Sequence, residues 1–251
     1  MEEKSEVYVP RVKLGTQGLE VSKLGFGCGG LSGILNAPLS HEAGCSIVRE
    51  AFSRGITFFD TADVYGENHD NEYMVGKKVP DIMNRFRICS NPTPTMTHVP
   101  KRIQERENER DLGIGLVAYS PLGHGFFGGK AVVESLPTES LLAAHPRFMG
   151  ENLEKNKLLY SRFANLAAKH ACTPAQLALA WLFHQGDDIV PIPGTTKLKN
   201  LDSNIGALAV KLTEEDLKEI SDAVPIDKVS GQRDMDVMAN YSWKFADTPS
   251  K

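Results

Sequence analysis

The chain has little cysteine, no marked excess of either charge and no long apolar run. Its four cysteines, Cys28, Cys45, Cys89 and Cys172, lie far apart without CxxC spacing, which argues against a zinc knuckle or a disulfide framework and for a reducing compartment. Cys28, between Gly27 and Gly29, reads as a small buried hydrophobe. The 28 basic and 32 acidic residues are spread along the sequence, with a net charge of -4, so no basic stripe is available for nucleic acid. The longest apolar stretch, residues 177–183, is far too short for a bilayer, and no apolar signal core follows the charged amino terminus. A soluble, unexported, cytoplasmic protein is expected.

At 251 residues one large core can be buried, and a single domain over residues 1–251 is expected. Residues 24–27 are apolar and run into glycines, as a strand entering a loop would. Ser40 precedes a helical pattern, Ala43, Ile47, Val48, Ala51 and Phe52, which Gly55 ends before a strand at 56–59; this is one βαβ unit. A second strand–loop pattern spans 113–129, followed by a helix over 153–169. Thr173 and Gln176 form a T-x-x-Q capping box with Pro174 at the first helical position, opening a helix with a Leu177, Ala180, Trp181, His184 stripe. A last strand covers 189–194. Leu198, Leu201, Ile205 and Leu208 then face inward on a helix, and Thr213 caps a final one with Glu214, Glu215 and Asp216 in its first turn. Alternating strands and helices imply a parallel α/β sheet. Between Lys77 and Asp111 the pattern fails: one poor strand at 85–89, prolines Pro92, Pro94 and Pro100, and a charged helix at 101–110.

The most telling stretch is Thr57-Phe58-Phe59-Asp60-Thr61-Ala62-Asp63-Val64-Tyr65-Gly66. An apolar run stops at a carboxylate, and a tyrosine follows in a Gly-bounded loop. In a (β/α) barrel the C-terminal strand ends carry the chemistry, which would place Asp60 and Tyr65 beside a substrate. A buried strand ending in a helix-capping Asp, with an ordinary loop Tyr, remains an alternative. Two later loops suit a phosphate. Ser120-Pro121-Leu122-Gly123-His124-Gly125-Phe126-Phe127-Gly128 offers backbone N–H groups without side-chain obstruction, and Gly194-Thr195-Thr196-Lys197 puts amides, hydroxyls and an ammonium at a helix start. Ordinary βα turns are the other reading of both.

These pieces together, with Ala118-Tyr119-Ser120-Pro121-Leu122-Gly123, Ile192-Pro193-Gly194-Thr195-Thr196-Lys197 and Trp243-Lys244-Phe245-Ala246, resemble the aldo-keto reductases. The likeness is to the plant branch that includes perakine reductase and the auxin-induced reductase-like proteins. The resemblance implies a (β/α)8 TIM barrel that reduces an aldehyde or ketone with NADPH and without metal. It implies Tyr65 as proton donor and Asp60 as the aspartate that steadies a lysine beside it. A phenol with an ordinary pKa near ~10 needs such help as an acid at neutral pH. Ser120 through Gly128 match the pyrophosphate loop, and Gly194, Thr195, Thr196 and Lys197 with Asn204 match the segment at the adenosine 2'-phosphate and adenine.

The chain departs from that pattern. The family's lysine and histidine, at the ends of its third and fourth strands, have no matching position, and Lys77, Lys78, Lys101 and His98 follow no apolar strand. His124 stands where an arginine is common, and Gly29 where a methionine is. An incomplete barrel is therefore expected, with strands three to six largely missing and a deleted or replaced segment around residues 79–110. Two functions follow as expectations: an NADPH-dependent carbonyl reductase acting on a small molecule, or a shortened, catalytically impaired member or splice form that binds at most nucleotide or a partner subunit.

Overall fold

The computed structural model describes residues 7–33, 37–78, 87–91, 112–136 and 140–233. The helix expected at 101–110 and the Trp243-Lys244-Phe245-Ala246 segment lie outside them, as do Lys101 and His98. Strands β1 (Arg11–Lys13) and β2 (Glu20–Ser22) form an antiparallel hairpin. Strands β3 (Phe26–Gly27), β4 (Phe58–Ala62) and β5 (Arg87–Asn91) pair in parallel in that order, as do β6 (Leu116–Ala118) and β7 (Ile189–Pro191).

One hydrogen bond joins the two parallel groups. The Gly25 N–H donates to the Pro191 carbonyl at 3.0 Å, and a Cβ on Gly27 would stand 2.7 Å from the Ile192 carbonyl oxygen. The spatial order is therefore β6-β7-β3-β4-β5, with the last parallel strand beside the first, as in a barrel at its closing seam. Among the described residues the ring stops there. The fold is α/β and an incomplete barrel of the (β/α)8 type.

Period-two alternation sorts the strand side chains. Phe58, Val190 and Ile192 meet Val21 on the inner face, where Val12, Leu14 and Leu19 of the hairpin pack against them. The hairpin crosses the N-terminal strand ends, since Ser22 N–H donates to Thr57 Oγ1 and Thr16 N–H to the Gly113 carbonyl. Phe59 and Phe26 point outward, 6.0 Å apart by ring centroid, into a core with α1 (His41–Ser53), α2 (Asp70–Lys78), α4 (Pro174–Phe183) and α5 (Leu198–Gly206). A second outer core joins α3 (Gly150–Lys169), α4 and α6 (Glu214–Ala223) through Phe163, Leu177 and Ile220.

Local signals set the helix starts. Ser40 Oγ accepts the Ala43 N–H at 3.3 Å. The Thr173–Gln176 box is reciprocal, at 3.2 and 3.0 Å, and so is Thr213–Asp216, at 2.8 and 3.2 Å; each such cap contributes about 1 kcal/mol. Three expectations are corrected. Strand β4 runs to Ala62 rather than stopping at Phe59, so Asp60 lies inside a ladder and caps no helix. The strand expected at 85–89 is at Arg87–Asn91, pinned there by pairing with β4. Leu198, in the first turn of α5, is 45 % exposed, while Leu201 and Ile205 further along the helix are buried. No helix among the described residues is long and apolar enough to cross a membrane.

Candidate functional site

All five parallel strands end on one edge, and the turns after β4, β6 and β7 rise from it. Asp60 is only 5 % exposed and sits between Gly27 and Cys89 in register. Alternation puts its side chain on the inner face with Phe58. Its carbonyl accepts the Cys28 N–H at 2.8 Å. Burial first, then the Asp60 carboxylate, push the Cys28 thiol far above its ordinary range, so this cysteine stays protonated and unreactive.

Tyr65 occupies the turn beyond β4. Its N–H donates to Ala62 and its carbonyl accepts the Asn71 N–H, both at 3.1 Å. Asn71, fully buried, ties this turn to its surroundings. Its Nδ2 donates to the Cys28 carbonyl and Ser32 Oγ, each at 2.9 Å, while its Oδ1 accepts Thr61 Oγ1–H at 2.6 Å. Ser32 Oγ then donates to Asp70 Oδ2 at 3.2 Å, and Asp70 Oδ1 meets His41 Nε2 at 2.6 Å. An open cleft of about 700 Å³, lined by Ser32, Val64, Gly66 and Asp70 among others, lies over the turn.

The loop after β6 differs from its expected form. Seven of its amides, those of Gly123, Gly125, Phe126, Phe127, Gly128, Gly129 and Lys130, donate to carbonyls of the loop itself. The expected array of open N–H groups is thus mostly consumed by consecutive turns, for which Ser120, Gly123, His124 and Gly125 adopt positive φ. Apolar side chains pin the loop: Leu122 packs against both outer cores, the Phe127 ring lies 4.6 Å from Phe163, and Phe126 meets Phe148 and Tyr160 edge-on. Pro121 is half-buried and Gly128 exposed, with open space where a Cβ would stand.

His124 lies against His145, ring centroids 5.2 Å apart. Burial, then the charges of His145, Arg233 and Arg147, lower its pKa from 6.5 to about 4. His145 is 3 % exposed. Its Nδ1 accepts the Arg147 N–H at 3.2 Å, and its Nε2 meets the Arg233 carbonyl at 2.9 Å. The Arg233 guanidinium lies 5.0 Å over the Tyr119 ring.

After β7, Gly194 abuts Gly27 and Thr195 is buried, its Oγ1 accepting the Lys197 N–H at 3.1 Å. Thr196 is half-buried. Lys197 is the N-cap of α5, without a side-chain cap, and Asn204 is buried on the same helix. Burial lowers the Lys130 pKa, Glu134 opposes that, and Lys197 lowers it further, so the two loops feel each other's charge. The turns after β6 and β7 are neighbours; Tyr65 belongs to the turn two strands away, a spacing of roughly 10 Å between β7 and β4.

The group implied by the resemblance is an anionic dinucleotide, and the residues fit it by charge and space. No carboxylate among the described residues pairs with Lys197 or Arg233, and glycines at 128 and 194 leave the backbone accessible. The fit runs through cations rather than through the loop amides. Sequence reasoning missed Asn71, His145, Arg147 and Arg233. Only the spacing of Asn71 with Met74 and Val75, which puts the amide on the apolar face of α2, could have marked the first, and nothing local marked the others.

A family model described as the aldo/keto reductase family matches residues 23–91 and 103–225. A probable aldo-keto reductase 1 of Glycine max is 44% identical over 340 aligned positions, covering 98% of this chain and 98% of that protein. With 251 residues here, at least 89 of those positions have no counterpart in this chain. Among solved structures, the glycerol dehydrogenase of Gluconobacter oxydans superimposes with a TM-score of 0.64 at 17% identity, over 85% of this chain and 94% of that one. The holo form of an aldo-keto reductase from Bacillus halodurans does so with 0.61 at 16%, over 86% and 96%. At such identities the likeness is one of fold.

Proposed function

The chain belongs to the aldo/keto reductase family, and from that premise we propose that it reduces an aldehyde or ketone to an alcohol, with NADP(H) as cofactor and Tyr65 as proton donor. The observation that carries the reading is the order β7-β3-β4, which puts the Gly194–Lys197 turn and the Asp60–Tyr65 segment on one sheet edge. Bound NADPH would supply the hydride. Lys197, with Gly194, Thr195, Thr196 and Asn204, would hold the adenosine end, and the Ser120–Gly128 loop with His124 the diphosphate. Tyr65 gives its hydroxyl proton to the carbonyl oxygen as the carbon gains hydride, and takes another from solvent; one hydride and one proton turn C=O into CH–OH. The cleft over the Tyr65 turn would admit the substrate. Placement in the plant branch that includes perakine reductase, and one domain with a replaced segment around 79–110, belong to the same proposal.

A second reading is favoured by the strand next to Asp60. The residue opposite Asp60 on β5 is Cys89, and Arg87–Asn91 contains no lysine. Strand β5 thus supplies no ammonium to stabilise the tyrosinate left by proton donation. On that account the chain binds dinucleotide, or a partner subunit, and turns over slowly or not at all. Titrating NADPH by its fluorescence and then adding an aromatic aldehyde separates the two. Binding with turnover that Tyr65→Phe abolishes, at unchanged cofactor affinity, supports the reductase; binding without turnover supports the second reading, and turnover unaltered in Tyr65→Phe removes the proton-donor role.

A further inference from the structure

We propose that residues 230–233 form a clasp that braces the turn after β6, with Asn156 of α3 as the positioning residue that seats it. The clasp stands on contacts within the chain; its consequence for dinucleotide release rests on the binding reading above.

Asn156 is 4 % exposed, and its amide bonds to main chain far away in sequence. Its Nδ2 donates to the Arg147 carbonyl at 3.0 Å and to the Ser230 carbonyl at 2.9 Å, and its Oδ1 accepts the Ser230 N–H at 2.9 Å. The pairing with Ser230 therefore runs in both directions, so Asn156 fixes the position of that residue as well as its distance. Beyond Ser230 the segment lies on the turn of 3-10 helix at Pro146–Phe148. Arg147 Nε–H donates to the Gly231 carbonyl at 3.4 Å, and His145 Nε2 meets the Arg233 carbonyl at 2.9 Å. Gly231 has φ 87, and a Cβ on it would stand 2.8 Å from the Pro146 carbonyl oxygen. Both the left-handed backbone and the close approach call for glycine.

The layer held in this way touches the turn after β6 at three points. The Arg233 guanidinium lies 5.0 Å over the ring of Tyr119, the residue that enters the turn. The His145 ring meets His124 at 5.2 Å and Phe148 meets Phe126 at 5.9 Å. The turn needs such support. Ser120 at φ 48 and His124 at φ 56 are non-glycine residues in the left-handed region, a conformation that persists only where the surroundings over-determine it. Its internal amide bonds each close a short loop, so they open and close locally unless something outside the turn holds it. A segment far downstream in the sequence thus sets how often the turn opens. With a dinucleotide on the turn, ligand leaves through the opened form, and the clasp slows its release.

The test is hydrogen exchange of the full chain, read by mass spectrometry, in Asn156→Ala, Gly231→Ala and Arg233→Ala. Amides of residues 123–130 should exchange about tenfold to hundredfold faster in the first two, which unseat the clasp. In Arg233→Ala, which removes only the stacked cation, they should exchange about two- to fivefold faster. Amides of β4 and α1 should be unaffected. Where Asn156→Ala unfolds the whole chain, the other two decide, since Gly231 is half-buried and Arg233 exposed. Unchanged exchange at 123–130 in both of these, or a rise shared equally by β4 and α1, overturns the clasp. NADPH dissociation, followed by stopped-flow fluorescence, should quicken by similar factors in the same variants. Unaltered dissociation beside faster exchange overturns the effect on release. Failure of NADPH to bind the parent chain overturns the cofactor reading, while exchange still decides the clasp.

Discussion

Gly194 and Gly27 meet backbone to backbone: a Cβ on Gly194 would stand 2.4 Å from the Gly27 carbonyl oxygen. This is where the turn after β7 crosses the end of β3, just beyond the Gly25–Pro191 hydrogen bond. The group it would meet is rigid backbone, not a flexible side chain, so it has little room to give. Gly194→Ala should destabilise the fold by about 1–3 kcal/mol, visible as a lower midpoint in urea unfolding, and should weaken dinucleotide binding. An unchanged midpoint would show that the seam adjusts freely.

Asn71→Ala should act on the Tyr65 turn without touching a ligand. It leaves the Cys28 carbonyl and the Thr61 hydroxyl without their buried partner, at a cost of about 2–4 kcal/mol in unfolding experiments. Any carbonyl reduction should fall in kcat, with dinucleotide Kd nearly unchanged, because the turns that would hold the cofactor belong to other strands. Equal losses in Kd and kcat would point to general damage.

Lys197→Ala should weaken NADP+ more than NAD+. Its ammonium is exposed at the start of α5 and has no carboxylate partner among the described residues, so it is available to a phosphomonoester that only NADP+ carries. A charge-assisted contact of this kind is worth about 1.5–3 kcal/mol, or roughly a tenfold to hundredfold change in the ratio of the two Kd values. Equal losses for both ligands would place the ammonium elsewhere.

Stability of the ligand-free chain should decline in mild acid through His124. Its pKa is 6.5 in the unfolded chain and about 4 in the folded one, so between those values the unfolded state holds more protons. The stabilisation is fully present above 6.5 and lost as pH falls toward the folded value, by up to about 3 kcal/mol. Urea midpoints across that window should fall in the parent chain and stay flatter in His124→Asn. Parallel curves would mean that the imidazole titrates normally.

Much of the local architecture was legible in the residues. Thr173 with Gln176, and Thr213 with an acid three residues on, announce helix starts because each box is closed within one turn. Apolar strands at β3, β4, β6 and β7 were visible by their runs, although their limits moved by a few residues where ladder pairing, not composition, sets the end. Pairing also revealed β5, whose own residues are a weak strand signal, because β4 supplies a full partner. The candidate site was legible where its motifs are contiguous, at Asp60 to Tyr65, Ser120 to Gly128 and Gly194 to Lys197.

By itself, then, the sequence determined the family, the helix caps, the alternation that turns Asp60 inward and the three turns of the candidate site. Tertiary structure alone decided that β7 lies against β3, that the β6 loop spends its amides on itself, and that His145, Arg147 and Arg233 gather around His124. The physical reason is range. Capping and alternation depend on atoms a few residues apart, whereas desolvation, charge and hydrogen-bond competition depend on whichever distant segments the fold packs together.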